Sequence, residues 1–228
     1  MRYRILATDY DGTLAEKGIV PPTAVAALSR LRESGRALVL VTGRELSDLR
    51  AIFPQIGLCD RVIAENGAVL HDPQTQQTRT LAEPPPPALL AALRAHKVPF
   101  DVGRVVVATR EPHKRAVALA IAESGVSFHA IFNKNAVMVL PAGIDKATGL
   151  RAALDELGLP RESCVAVGDA ENDHALYASC GLSVAVSNAL PMLKGSADWV
   201  TSAAASAGVV EVIDALIGSD LRDWHTLG

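Results

Sequence analysis

Aromatic residues make up only 4% of the 228 positions, so aliphatic side chains layered between helices and a sheet must fill the interior. Cysteine is scarce too. Cys59, Cys164 and Cys180 follow no metal-ligand spacing and are odd in number, which excludes a disulfide framework and suits buried, reduced thiols. No apolar run approaches the length that crosses a bilayer, and Met1-Arg2-Tyr3-Arg4 leads straight into a strand-like run. The expectation is a cytoplasmic protein with no membrane partner. Positive charge is not in excess: 22 Lys and Arg against 25 Asp and Glu give a formal −3, which argues against nucleic acid as a partner. Internal repeats are absent as well. What is plentiful is Ala, Val and Leu, and 49% apolar residues is enough for one α/β domain or for a core with a small second domain.

The chain is organised around Ile5-Leu6-Ala7-Thr8-Asp9-Tyr10-Asp11-Gly12-Thr13-Leu14. A short apolar run of this kind reads as a strand covered on both faces, and ligands in open parallel sheets sit at the carboxyl ends of such strands. Asp9 and Asp11 fall there, and Gly12 lets the chain turn away and leave both at the rim. Taken alone, Asp-Xaa-Asp-Gly also suits an Asx-turn or a helix cap. The same design recurs. Ala37-Leu38-Val39-Leu40-Val41 runs into Thr42-Gly43-Arg44, and Cys164-Val165-Ala166-Val167 runs into Gly168-Asp169-Ala170-Glu171-Asn172-Asp173. A right-handed crossover makes the first two strands neighbours and brings Thr42 beside Asp9. Helices are expected from Pro22, after Glu45, from Lys146 to a stop at Gly158, and near 208–217, with a strand at 61–64 turning through Asn66-Gly67 into another.

Between the second and third of these turns the composition shifts. Residues 71–80 are mostly polar and four prolines follow Glu83, a stiff stretch that suits a linker. Helices near 88–96 and 113–123 and strands at 105–109, 128–132 and 136–140 then predict a small α+β lid. The expected division is a core of residues 1–80 and 142–228 with an inserted lid of residues 81–141. The lid holds 7 Lys and Arg against 4 Asp and Glu, a net +3 over a core of net −6. A face bearing some of Arg94, Lys97, Arg104, Arg110, Lys114 and Arg115 would attract an anionic substrate, although a solvated charged face is the commoner explanation of such residues. His96, His113 and His129 lack ligand spacing and read as surface residues. The tail from Asp220 to Gly228 carries no legible signal.

Four pieces, Asp9-Tyr10-Asp11-Gly12-Thr13, Val41-Thr42-Gly43-Arg44, Lys146 and Gly168-Asp169-Ala170-Glu171-Asn172-Asp173, thus stand in order at one sheet edge. Together they resemble the haloacid dehalogenase superfamily of phosphohydrolases. Their spacing looks like the branch with a lid between the second and third motifs, which includes Cof-type sugar phosphatases and small archaeal-type phosphoglycolate phosphatases. Glu65-Asn66-Gly67-Ala68 is also similar to a turn of that branch, and the resemblance spans residues 3–217. Tyr10 departs from the apolar residue many relatives carry.

The resemblance implies a Rossmann-like, doubly wound parallel sheet with a small inserted α+β cap, and Mg²⁺-dependent hydrolysis of a small phosphorylated metabolite of the sugar-phosphate or phosphoglycolate class. It makes Asp9 the nucleophile that forms an aspartyl phosphate and Asp11 the acid and base. Thr42, Gly43, Lys146 and Asn172 become phosphate ligands. Asp9, the backbone carbonyl of Asp11, Asp169 and, through water, Asp173 become the Mg²⁺ site. The chemistry fits the residue types: a phosphate monoester repels a carboxylate until its charges are neutralised, and Mg²⁺ needs only a few oxygens beside its waters. A phosphomutase would use the same residues. A phosphorylatable receiver shares Asp, Thr and Lys but not their order, and a regulatory module of a longer protein is a further alternative.

Overall fold

A computed structural model describes residues 1–133 and 135–222. In chain order the core begins with β1 (Ile5–Asp9), α1 (Pro22–Glu33), β2 (Ala37–Val41), α2 (Leu46–Ile52), β3 (Arg61–Ala64), β4 (Val69–His71) and β5 (Thr78–Thr80). There follow α3 (Pro87–Ala95), β6 (Asp101–Val102), β7 (Val107–Arg110), α4 (Lys114–Ser124), β8 (Phe128–Asn133) and β9 (Ala136–Pro141). The core resumes with α5 (Lys146–Leu157), β10 (Cys164–Gly168), α6 (His174–Tyr177), β11 (Leu182–Ala185), α7 (Pro191–Lys194), β12 (Trp199–Val200) and α8 (Ala205–Ser219).

The core sheet has the order β12-β11-β10-β1-β2-β3-β4-β5, parallel from β12 through β3 and antiparallel for the last two strands. Strand β1 lies between β2 and β10, so the ends of three polar-terminated strands meet. Its alternation divides the core. Leu6, Leu38, Leu40, Val165 and Val167 pack with Leu28 and Leu31 of α1 and with Val209, Val212 and Leu216 of α8. Ile5, Ala7, Val39, Ile63 and Ala166 pack with Leu150, Ala153 and Leu154 of α5. Burial on both faces is why β1 reads as an unbroken apolar run rather than an alternating one, and each such aliphatic side chain contributes about 1.5–3 kcal/mol. By the same alternation Asp9 lies on the α5 side, with Ile5 and Ala7.

Two expectations change. The polar stretch 71–80, in which no strand is expected, holds the edge strand β5, antiparallel to β4; its side chains are largely exposed, so no apolar alternation marks it. Asp220 is not without a role: its carboxylate accepts from the backbone N–H groups of Arg2 and Tyr3 and from Arg36, tying the end of α8 to the start of β1. The rest of the tail, 223–228, lies outside the described residues.

The second sheet, β6-β7-β9-β8, is antiparallel throughout and carries α3 and α4 on one face. Val107, Val137, Val139, Leu89, Leu93, Val117 and Ala120 close that side. The opposite face meets the core through Val105, Val106, Met138 and Leu140 against Ala68 and Ile144.

Candidate active site

Asp9 ends β1, Thr42 follows β2, and Asp169 follows β10, so neighbouring parallel strands deliver all three to one edge. Lys146 arrives from the other direction, as the first residue of α5. That helix is fixed by its cap, Asp145 Oδ1 accepting from Thr148 N at 2.8 Å, and by Gly158 in the left-handed region at its end. It is seated very closely. At Gly67, φ +108°, an added Cβ would lie 1.7 Å from the Asp145 carbonyl oxygen, so only glycine lets α5 approach the turn at 65–67.

Lys146 is fully buried and donates to Oδ1 of Asp9 and to Oδ1 of Asp173, each at 2.5 Å. Asp173 Oδ2 accepts from the backbone N–H groups of Asp169 at 2.9 Å and Ala170 at 3.0 Å, so both its oxygens are engaged. Thr13 Oγ1 donates to Asp169 Oδ1 at 3.2 Å. Carboxylate oxygens of Asp9, Asp169 and Asp173, all buried, lie within 4.8 Å of one another. Three acids around one ammonium leave the cluster short of positive charge. Burial first and then the charges of Asp173 and Asp169 push the Asp9 carboxyl up to about 8, despite the opposing pull of Lys146. Burial works against the Lys146 ammonium, but Asp173 and Asp9 outweigh it and hold the amine above its ordinary range. An all-oxygen set with excess negative charge suits a hard divalent cation, so the residues present fit Mg²⁺.

The remaining expected residues surround this cluster. Asp11 is turned away from it: its Oδ2 and Oδ1 accept from Arg44 Nε at 2.6 Å and Nη2 at 2.8 Å. The Thr42 hydroxyl accepts from Arg44 N at 3.1 Å and keeps its own proton for a ligand. The Thr42 backbone N–H is already spent on Ile63 O at 2.8 Å, so the hydroxyl, not this N–H, is the group Thr42 offers a phosphate. Asn172 Nδ2 donates to Asn66 Oδ1 at 3.0 Å, leaving Asn66 Nδ2 and Asn172 Oδ1 buried and unpartnered. At Gly43 an added Cβ would lie 3.0 Å from Met138 Sδ, so the second sheet reaches down to this turn.

In the sequence, residues 65–67 read as a hairpin turn with no role in the site. Buried Glu65 accepts three backbone N–H groups of the connection between β6 and β7, from Arg104 at 2.9 Å, Val105 at 2.8 Å and Val106 at 2.9 Å. The signal was the glutamate before Asn-Gly, which a plain hairpin does not need. The lid's basic residues divide. Arg94 lies over the Phe100 ring and Lys114 over Phe132, rings packed among the cap helices, away from the core. Arg110, by alternation, shares the core-facing side with Ala108, and Arg104 lines a groove with Glu45, Ser47 and Arg50.

An open α/β sheet with an acidic cation pocket and a buried lysine at its carboxyl edge, roofed by a second small sheet, defines an enzyme that handles an anionic, phosphate-like group there. The chain belongs to the haloacid dehalogenase-like hydrolase family, whose sequence profile matches residues 6–102 and 99–213. It is 33% identical over 224 residues to a phosphoglycolate phosphatase of Methanothermobacter thermautotrophicus, covering 94% of this chain and 99% of that one. It is 30% identical over 237 residues to a phosphoglycolate phosphatase of Natronomonas pharaonis, covering 92% and 96%. Its fold matches a haloacid dehalogenase-like hydrolase of B. subtilis with a TM-score of 0.79 at 20% identity, covering 93% and 99%.

Proposed function

We propose that this phosphoric monoester hydrolase releases phosphate from a small phosphorylated metabolite, with Mg²⁺ as cofactor and an aspartyl phosphate on Asp9 as intermediate. The observation that carries the reading is the clustering of the Asp9, Asp169 and Asp173 carboxylates, with Lys146 donating to Asp9 and Asp173. The relatives favour a phosphorylated carboxylic acid such as phosphoglycolate.

Asp9 and Asp169, the backbone carbonyl of Asp11 and, through water, Asp173 would hold Mg²⁺, which when bound neutralises phosphoryl charge. With Lys146 on Oδ1 of Asp9, Oδ2 is the oxygen that attacks phosphorus. Lys146, the Thr42 hydroxyl, the Gly43 N–H and the side-chain amide of Asn172 stabilise the phosphoryl oxygens as the bond to the leaving group lengthens. Asp11, once released from Arg44 and protonated, gives its proton to the departing alkoxide. Its carboxylate then takes a proton from the water that attacks the aspartyl phosphate, and phosphate leaves with Asp9 restored. Residues 81–141, which carry the second sheet, act as a lid that excludes water until the aspartyl phosphate has formed.

A panel of phosphorylated metabolites assayed for phosphate release tests the reading. Activity should require Mg²⁺, vanish with EDTA and return on adding Mg²⁺. Hydrolysis undiminished after exhaustive chelation would overturn the metal assignment, and transfer of the phosphate to a second acceptor without release would favour a phosphomutase.

A further inference from the structure

The charges in the candidate site fall into two kinds. Lys146, Asp9 and Asp173 have side chains 0–5% exposed, whereas Arg44 and Asp11 are 34% and 39% exposed and pair with each other at the rim. Arg44 N donates to the Thr42 hydroxyl at 3.1 Å, and Asp11 follows Asp9 by two residues, so the pair adjoins the position proposed for the phosphate. Of the two, Arg44 lines a cleft of about 450 Å³ together with Gly43, Asp48, Asp101, Val106 and Ala108. The guanidinium is held in place, 5.9 Å above the Tyr10 ring and against Gly18.

Resting on the phosphatase reading, we infer that Arg44 determines specificity by receiving the carboxylate of a short phosphorylated carboxylic acid in exchange for Asp11. Both ligands present the same planar pair of oxygens to the same Nε–Nη2 edge, so the exchange preserves a bidentate pair and its charge balance. A solvent-screened pair at a rim is readily exchanged; the buried Lys146 contacts are not. What the exchange adds is order. Asp11 stays clamped until a substrate with a second anionic group arrives, and is then free to turn toward the leaving oxygen. The other ionisable residues of the cleft, Glu45, Asp48 and Asp101, are acids, so a carboxylate reaching past Arg44 meets repulsion. The subsite therefore selects a carboxylate close to the phosphate.

The test compares phosphoglycolate with 2-hydroxyethyl phosphate, which replaces the carboxylate by a hydroxymethyl group, in the wild type, Arg44→Met and Arg44→Lys. The wild type should prefer phosphoglycolate in kcat/KM. Arg44→Met should erase at least about tenfold of that preference, chiefly through KM, and Arg44→Lys should restore part of it. An equal loss on both substrates, or no preference in the wild type, overturns the proposal and leaves Arg44 as a support for Asp11. Calorimetric titration with glycolate reads the exchange without turnover. Asp11→Ala should tighten glycolate binding by removing the competing carboxylate, and Arg44→Met should abolish it; unchanged affinity in both overturns the proposal even if neither phosphate ester is hydrolysed, the outcome that would instead defeat the phosphatase reading.

Discussion

Lys146 Nζ is bound at once by Asp9 on β1 and by Asp173 in the turn after β10, residues 164 positions apart in sequence. One ammonium thus ties two core segments together as well as facing the reaction. Lys146→Met should leave neighbouring buried carboxylates uncompensated and cost about 3–5 kcal/mol of stability, measured by urea unfolding, together with all turnover. A variant as stable as the wild type would mean that the acids are not ionised around it.

The raised Asp9 carboxyl has a definite sign. A carboxylate whose folded pKa, about 8, exceeds its unfolded value near 4 binds more protons when folded, so stability falls as pH rises between those values. Asp9→Asn should therefore melt higher than the wild type at pH 7.5–8 in metal-free buffer, by roughly 2–4 °C per kcal/mol relieved. The difference should shrink toward pH 4. Thermal melts across that range check it, and Mg²⁺ should narrow the gap at neutral pH by stabilising only the wild type.

Leaving-group dependence tests Asp11. Asp11→Asn should lose about 10²- to 10⁴-fold on alkyl phosphates but much less on p-nitrophenyl phosphate, whose leaving group needs little protonation. Equal losses on both would remove Asp11 as the acid.

Glu65 is the fixed point between the sheets. Glu65→Ala strands three N–H groups at residues 104–106 and should cost about 1–3 kcal/mol, with kcat/KM falling more on the preferred metabolite than on p-nitrophenyl phosphate. Gly103→Ala should act alike, because its Cβ would lie 2.8 Å from Glu65 Oε2. Parallel losses on both substrates would show that the contact serves folding alone.

The motif residues were legible because chemistry fixes their type and parallel strands fix their place: Asp9, Thr42 and Asp169 each end an apolar run. The antiparallel edge strand Thr78–Thr80 was not, since an exposed strand carries no alternation. Nor were the partners of the lid's charges. The net +3 left open whether these charges face the substrate or solvent, and Arg94 and Lys114 rest on Phe100 and Phe132, a choice that depends on which face the helices cover. The Arg44–Asp11 pair was hidden for a related reason: its members lie 33 residues apart, and nothing in either segment names the other.

The strand order has a consequence for how the molecule comes into being. Strand β1 finds β2 within the first 41 residues, but its other neighbour, β10, is not complete until residue 168. During synthesis the whole roof, through Pro141, therefore precedes Lys146, Asp169 and Asp173, and a nascent chain carries Asp9 long before Lys146 can balance it. The buried charge cluster is necessarily among the last parts to assemble, and such long-range parallel pairing is slow. A chain stalled after the roof would have a cover with nothing reactive beneath it.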